Sequence, residues 1–240
     1  MLEMLLESGL DPEIRDRENR TVLDVIQKFC QLDTNMQRIM KTYLKKSYAI
    51  KFPEITKASE EGDPVAQFKL AVMYQDGNTV ERDYVRAERL YILAARQGNV
   101  AAQYNLGVMY RDGTEIKQDL VKAIEFFSLA AGQGDATAQY TLAEMYETVD
   151  NDANKASRLY HLAAIQGDPM AQFKLGIMYY FGETVDQNFT EAARLFKLAA
   201  AQGHDKAQHN LGVMYTKGEG VKYNNFKAQY LLKQASRNNM

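Results

Sequence analysis

The 240-residue chain carries a single cysteine, no tryptophan and three histidines. Cys30 alone excludes an internal disulfide framework and a cysteine-based zinc site, and fits a reducing compartment. His161, His204 and His209 form no metal set, because His204 and His209 lie about 140° apart around a helix. Charge of one sign is also missing: the formal net charge is −2 and the pI about 6.0, so no basic field holds nucleic acid or an anionic bilayer. No stretch reaches the roughly 18 uninterrupted apolar residues of a membrane span, which argues against membrane insertion. The opening segment MLEMLLESGLDPEI is interrupted by Glu3 and Glu7 where a cleaved secretory signal needs basic and apolar residues. The Ser-x-x-Lys, Ser-Asp-Asn and Lys-Thr-Gly sets, the Gly-Lys-Ser/Thr phosphate loop and the His-Glu-x-x-His pair are all absent. The expectation is a soluble, cytoplasmic protein without catalytic residues, metal or cofactor.

What the chain does have is repetition. An Ala-Gln pair ends at Gln67, Gln103, Gln139, Gln172 and Gln208, with spacings of 36, 36, 33 and 36 residues. A period of this length marks a stacked solenoid, whose usual product is an extended binding surface rather than a single pocket. Counted from the leading glycine of each copy (Gly62, Gly98, Gly134, Gly167, Gly203), the fourth, eighth, eleventh and twelfth positions are always Ala, Leu, Met and Tyr. That spacing puts them on one face of a first helix, A. The ninth position is Ala71, Gly107, Ala143, Gly176 or Gly212, small enough to let a second helix approach closely. Glycines at 77, 113, 182 and 218 suit a left-handed helix C-cap.

Helix B opens at Asp83, Asp119, Asp152, Asn188 and Asn224, residue types that cap first-turn amides. Bulk follows at Leu90-Tyr91, Phe126-Phe127, Leu159-Tyr160, Leu195-Phe196 and Leu231-Leu232, with Ala-Ala one turn later in the first four copies. The Gln-Gly ending, Glu61-Gly62 in the first instance, runs directly into Asp63, Asn99, Asp135 or Asp168, each able to cap the next helix A, with Pro64 and Pro169 at the first helical position. The methionine stripe (Met73, Met109, Met145, Met178, Met214) reads as core, and the five invariant glutamines read as hydrogen-bonding between neighbouring repeats.

The pattern A-Q-x-x-L-G-x-M-Y-x-x-G-x-x-V-x-x-D-x-x-x-A-x-x-x-Y/F-x-L-A-A-x-Q-G, complete from Ala102 to Gly134 apart from Ile116, resembles the Sel-1-like repeat, a relative of the tetratricopeptide repeat. The resemblance covers about residues 52 to 240. It implies an all-α, right-handed superhelical solenoid of antiparallel helix pairs: a half repeat at 52–62, then repeats at 63–98, 99–134, 135–167, 168–203 and 204–240, within a domain of 51–240. The third repeat lacks three residues and the loop glycine, so its A–B loop is expected to be tighter. The last helix carries Leu232, Gln234 and Ser236, as suits a polar terminal cap. Where many family members have tryptophan in helix B, this chain has Leu or Phe.

Residues 1–50 form a different unit. Leu5-Leu6, Gly9, Asp11-Pro12, Asp16, Thr21 and Leu23 resemble an ankyrin-repeat junction, and Asp24, in place of the usual His, suits a final copy. This implies either an ankyrin-like cap on the array or the end of a longer ankyrin protein, followed by a bridging helix over residues 34–50.

The candidate site is the stripe where the copies differ: the third, sixth, tenth and thirteenth positions of helix A, which in the tetratricopeptide relative line the concave surface. The partner-binding residues expected there are Phe68, Tyr104, Arg111, Tyr140, Glu144, Glu147, Phe173, Ile177, Tyr180 and His209. The ladder Phe68, Tyr104, Tyr140, Phe173 either anchors a partner segment or packs between A helices. The leading expectation is a non-catalytic scaffold or adaptor holding another protein or a peptide segment; the oligomeric state is left open. The alternatives are a β-lactamase-like or cell-wall hydrolase, as described for cysteine-rich relatives, and a regulatory domain of a separate enzyme. The ankyrin-plus-Sel-1-like combination resembles interaction proteins of eukaryotes and of intracellular bacteria, which by analogy extends the expected setting to a host cytosol.

Overall fold

The computed structural model describes residues 51–77, 79–114 and 116–237; the ankyrin-like stretch and the bridging helix lie outside these. Every described element is a helix, a turn or a bend, with no strand among the described residues. The chain divides into two compact units, one closing at Asn99 and the other opening at Val100. In the first, helical residues 51–60 (α1) precede α2 (Pro64–Asp76) and α3 (Tyr84–Arg96). The second holds α4 (Val100–Asp112), α5 (Leu120–Gly132), α6 (Ala136–Thr148), α7 (Ala153–Ile165), α8 (Pro169–Phe181), α9 (Phe189–Ala201), α10 (Asp205–Lys217) and α11 (Asn225–Arg237). From α2 onward, even-numbered helices are A and odd-numbered helices are B. Within the second unit each A packs on its own B, and each B from α5 to α9 on the next A, in the serial order of a helical-pair solenoid.

Local sequence sets the helix ends. The carboxylates of Asp83, Asp119 and Asp152 and the carboxamide oxygen of Asn188 accept first-turn amides of their B helices at 2.9–3.0 Å. Asp63, Asp135 and Asp168 do the same for A helices at 2.7–2.8 Å. Such caps are each worth about 1 kcal/mol. In the last repeat His204 stands in for the aspartate, its Nδ1 accepting the Ala207 amide at 3.2 Å. Helices α2, α8 and α10 end in left-handed glycines, φ 67° to 76°, whose amides reach Met73, Met178 and Met214 carbonyls. The shortened third repeat has no glycine to spare, and Asn151 takes the left-handed turn at φ 52°.

The core runs through the A–B contact of each pair. Tyr91, Phe127, Tyr160 and Phe196 are at most 1% exposed, and the five stripe methionines are buried. These large rings sit against the small ninth position: a Cβ built on Gly107 would lie 2.7 Å from Phe127, and one on Gly176 would lie 2.7 Å from Phe196. The first four copies split into two packing solutions, while in the last Gly212 faces Leu232. Alanine pairs with tyrosine (Ala71 with Tyr91, Ala143 with Tyr160), and those hydroxyls donate to Gln75 at 2.6 Å and Glu147 at 2.8 Å. Glycine pairs with phenylalanine (Gly107 with Phe127, Gly176 with Phe196), which has no hydroxyl to hold.

The invariant glutamines bridge consecutive helices. Gln139 and Gln172 donate from Nε2 to the Ala131 and Ala164 carbonyls of the preceding B helix, both at 3.2 Å. Their Oε1 atoms accept from Gln166 and Gln202 at the end of their own B helix, at 2.8 and 3.1 Å. Three helices are thus tied by one buried side chain, at about 1 kcal/mol per bond.

Candidate functional site

In the first unit the stripe contributes Phe68, half-buried, its ring 5.8 Å from that of Tyr91. The second unit carries the rest. Tyr104, Tyr140 and Phe173 are likewise half-buried, each leaning on the B-helix ring of its own repeat: Phe127 at 5.4 Å, Tyr160 at 5.7 Å and Phe196 at 5.9 Å. The ladder rings therefore pack inward within a repeat rather than between A helices, and keep part of their surface outside. Phe173 also stacks on the His204 ring at 4.6 Å.

The polar members of the stripe are held in separate hydrogen-bonded sets. The Tyr140 hydroxyl donates to Glu144 at 2.5 Å. Glu147 accepts from Tyr160 at 2.8 Å and from Lys174 of the next repeat at 2.8 Å. Burial alone would push the Glu147 carboxyl up; the hydrogen bonds from Lys174 and Tyr160, with the Lys174 charge, outweigh it and hold the group below the ordinary carboxylate range. Burial first, then the bonds to Glu144 and Glu147, raise the Tyr140 and Tyr160 hydroxyls, so both stay protonated donors. Arg111 pairs with Asp112 at 2.7 Å, lies over the Phe127 ring at 5.9 Å and is held further in its charged form by that carboxylate, with Glu144 adding to it.

Not all sequence-predicted residues share one open surface. Ile177 and Tyr180 are half-buried against the packing around α9 and α10, and the Tyr180 hydroxyl donates to Glu219 at 2.7 Å. His209 is exposed and, with Phe173, Lys206, Asn210 and Leu232, lines a groove of about 370 Å³. The stripe thus presents two regions: the Tyr140–Glu144 and Glu147–Lys174 pairs, and the Phe173–His209 groove. Among the described residues no His, Cys, Asp and Glu side chains cluster to hold a metal, and no helix is long and apolar enough to cross a membrane.

Sequence reasoning missed one recurring device. The third residue of helix B, Lys122, Lys155 or Lys227, lies over the twelfth-position tyrosine of helix A (Tyr110, Tyr146, Tyr215) at 4.7–5.6 Å, and Arg86 lies over Tyr74 at 5.4 Å. The signal was a basic residue three after the capping Asp or Asn, present in every copy but the fourth, where Glu191 pairs with Arg194 instead.

Comparison with known proteins agrees with this geometry. A protein from Oxalobacter formigenes described as a Sel1 repeat protein superposes with a TM-score of 0.72 at 29% identity, over 83% of this chain and 80% of its own. A protective antigen of uropathogenic Escherichia coli with an SLR fold gives a TM-score of 0.77 at 26% identity over 99% of this chain, which spans 52% of that protein. An immunity protein from Pseudomonas aeruginosa shares the fold at 20% identity and a TM-score of 0.53, over 97% of this chain and 85% of that one. No curated protein matches the sequence. The Sel1 repeat model matches residues 64–99, 100–135, 136–168, 169–204 and 205–240. With five consecutive copies and the helix pairs, caps and glutamine ties that they encode, the chain belongs to the Sel1 repeat family.

Proposed function

We propose that this protein is a non-catalytic scaffold or adaptor that holds a segment of another protein along the A-helix stripe of its second unit. Members of the Sel1 repeat family are typically protein-interaction scaffolds. The observation that carries the reading here is the braced aromatic ladder: Tyr104, Tyr140 and Phe173 each keep an outer surface while a second ring holds them from behind at 5.4–5.9 Å. A ring fixed before the partner arrives loses little side-chain freedom on binding, which is what an interface anchor needs. The groove at Phe173, Lys206 and His209 offers a recess for a side chain of the partner. Arg111, Glu144 and Glu147 on the stripe, with Lys174 beside it, place charges of both signs there and set register more than affinity.

Affinity purification followed by mass spectrometry identifies the partner, and substitution then locates its site. Because Tyr140 and Phe173 also pack on the core, the test uses His209→Ala and Lys206→Glu, both exposed, beside a Tyr140→Ala/Phe173→Ala double variant checked by circular dichroism. Weakening of about 2 kcal/mol or more in the double variant supports the stripe. Undiminished binding of all three folded variants moves the interface elsewhere.

A further inference from the structure

Gln208 breaks the pattern of the glutamine ties. Its Nε2 donates to the Ala200 carbonyl at 3.2 Å, as in the other repeats. Its Oε1 is buried, in a residue 9% exposed, and has no hydrogen-bond partner among the described residues. In the four preceding repeats the same atom accepts from Gln97, Gln133, Gln166 or Gln202 at 2.8–3.1 Å. The sequence position in that register is Asn238, one methylene shorter and outside the described residues. A buried acceptor without a donor is destabilising, a loss that a ligand carrying an N–H recovers.

Gln208 is part of the lining of a groove of about 510 Å³ formed by residues of α9, α10 and α11. Leu211 and Leu231 give it an apolar base, Tyr215 and Tyr230 aromatic sides, and Lys197 and Lys227 a basic rim. Beside it α11 exposes Phe226 at 84% and Tyr230 at 60%, and Tyr223, just ahead of the helix, is 62% exposed. Where Tyr230 stands, the earlier copies carry Arg89, Glu125, Arg158 and Arg194, so an outer face that is charged elsewhere is aromatic here. The surrounding charge is one-sided. From Gly220 to Met240 there are four basic side chains and no acidic one, in a chain whose net charge is −2.

We infer that the α9–α11 groove is a second protein-binding surface, which takes an acidic peptide segment of a partner and receives from it an amide N–H donor on Gln208. The two lysines favour an acidic occupant over a second copy of the chain, whose matching Gly220–Met240 face carries no acidic side chain to offer them. The segment's acidic side chains meet the two lysines, an apolar side chain lies between Tyr215 and Tyr230, and a glutamine, asparagine or backbone amide supplies the donor that earlier repeats take from within. The groove uses different α10 residues from the A-helix stripe and stands independently of that reading.

A random dodecapeptide library displayed on phage and selected against the full chain tests this, with recovered peptides measured by fluorescence anisotropy. The expected peptides are net acidic, bind more weakly as salt is raised, and lose at least about tenfold in affinity on Lys197→Glu/Lys227→Glu and on Tyr230→Ala, as befits interface anchors. Gln208→Leu, verified to keep its melting temperature, weakens them as well, whereas Tyr140→Ala does not. Failure to enrich any peptide, enrichment of neutral or basic ones, or binding indifferent to the lysine and Tyr230 variants overturns the inference. So does sedimentation showing self-association that Tyr230→Ala abolishes, because the occupant is then a second copy.

Discussion

Gly107→Ala puts the two packing solutions of the A–B core into direct opposition. Gly107 sits inside α4 with ordinary helical backbone, so on propensity alone alanine gains about 1 kcal/mol. The added Cβ would meet Phe127 Cδ1 and Cε1 at 2.7 Å and Cγ at 2.9 Å. Phe127 has no exposed surface and is flanked by Tyr104 at 5.4 Å and Arg111 at 5.9 Å, so the ring has nowhere to retreat. Overpacking of this kind costs about 1–3 kcal/mol, and three rigid atoms inside contact distance place the site at the upper end. Subtracting the propensity gain leaves a net loss of about 2 kcal/mol. Urea unfolding followed by circular dichroism measures it. The triple variant Gly107→Ala/Arg111→Gln/Phe127→Tyr, which installs the Ala71–Gln75–Tyr91 solution, should recover at least half of the loss. A single variant more stable than wild type would refute the reasoning, because it would mean that glycine is not required by the ring.

At the repeat junction, Gly134 holds φ +92° with open space around its Cβ direction, so Gly134→Ala should lose roughly 1 kcal/mol through backbone strain alone, measured in the same unfolding assay. Gln172→Met removes two made hydrogen bonds and should cost about 2 kcal/mol, whereas Gln208→Met removes one and also eliminates an unpaired buried acceptor; it should be close to neutral by thermal melt. His204 caps α10 through a neutral Nδ1, and burial lowers its pKa. The unfolded chain then binds the proton first, so this contribution to stability is full above about pH 6.5 and falls as pH drops toward the lower folded value. Stability measured from pH 7 to 5 should show that loss, and His204→Asp should flatten it.

The helix pairs were legible because each signal was local. Asp119 before Leu120, or Gly182 after Phe181, states a cap in adjacent residues, and the stripe Ala–Leu–Met–Tyr states a face in one turn's spacing. The tie made by the invariant glutamines was only half legible. Five identical residues imply a repeated bond, but only coordinates show that Gln139 reaches back to Ala131 while Gln166 reaches Gln139. The site was least legible. Glu144 and Glu147 read as free carboxylates until Tyr140, Tyr160 and Lys174 are seen to engage them, contacts that span up to 27 residues. His204 read only as no part of a metal set, although its place in the aspartate register of the caps was the available sign.

The measurement that tests the central claim most directly is site-specific photo-crosslinking in cells, with a light-activated phenylalanine analogue placed at Tyr104, Tyr140 or Phe173, and at Leu162, which is 49% exposed on α7, as the outer-face control. The account predicts that the three stripe positions capture the same partner protein and that Leu162 does not. Capture from Leu162 with silence along the stripe would contradict it.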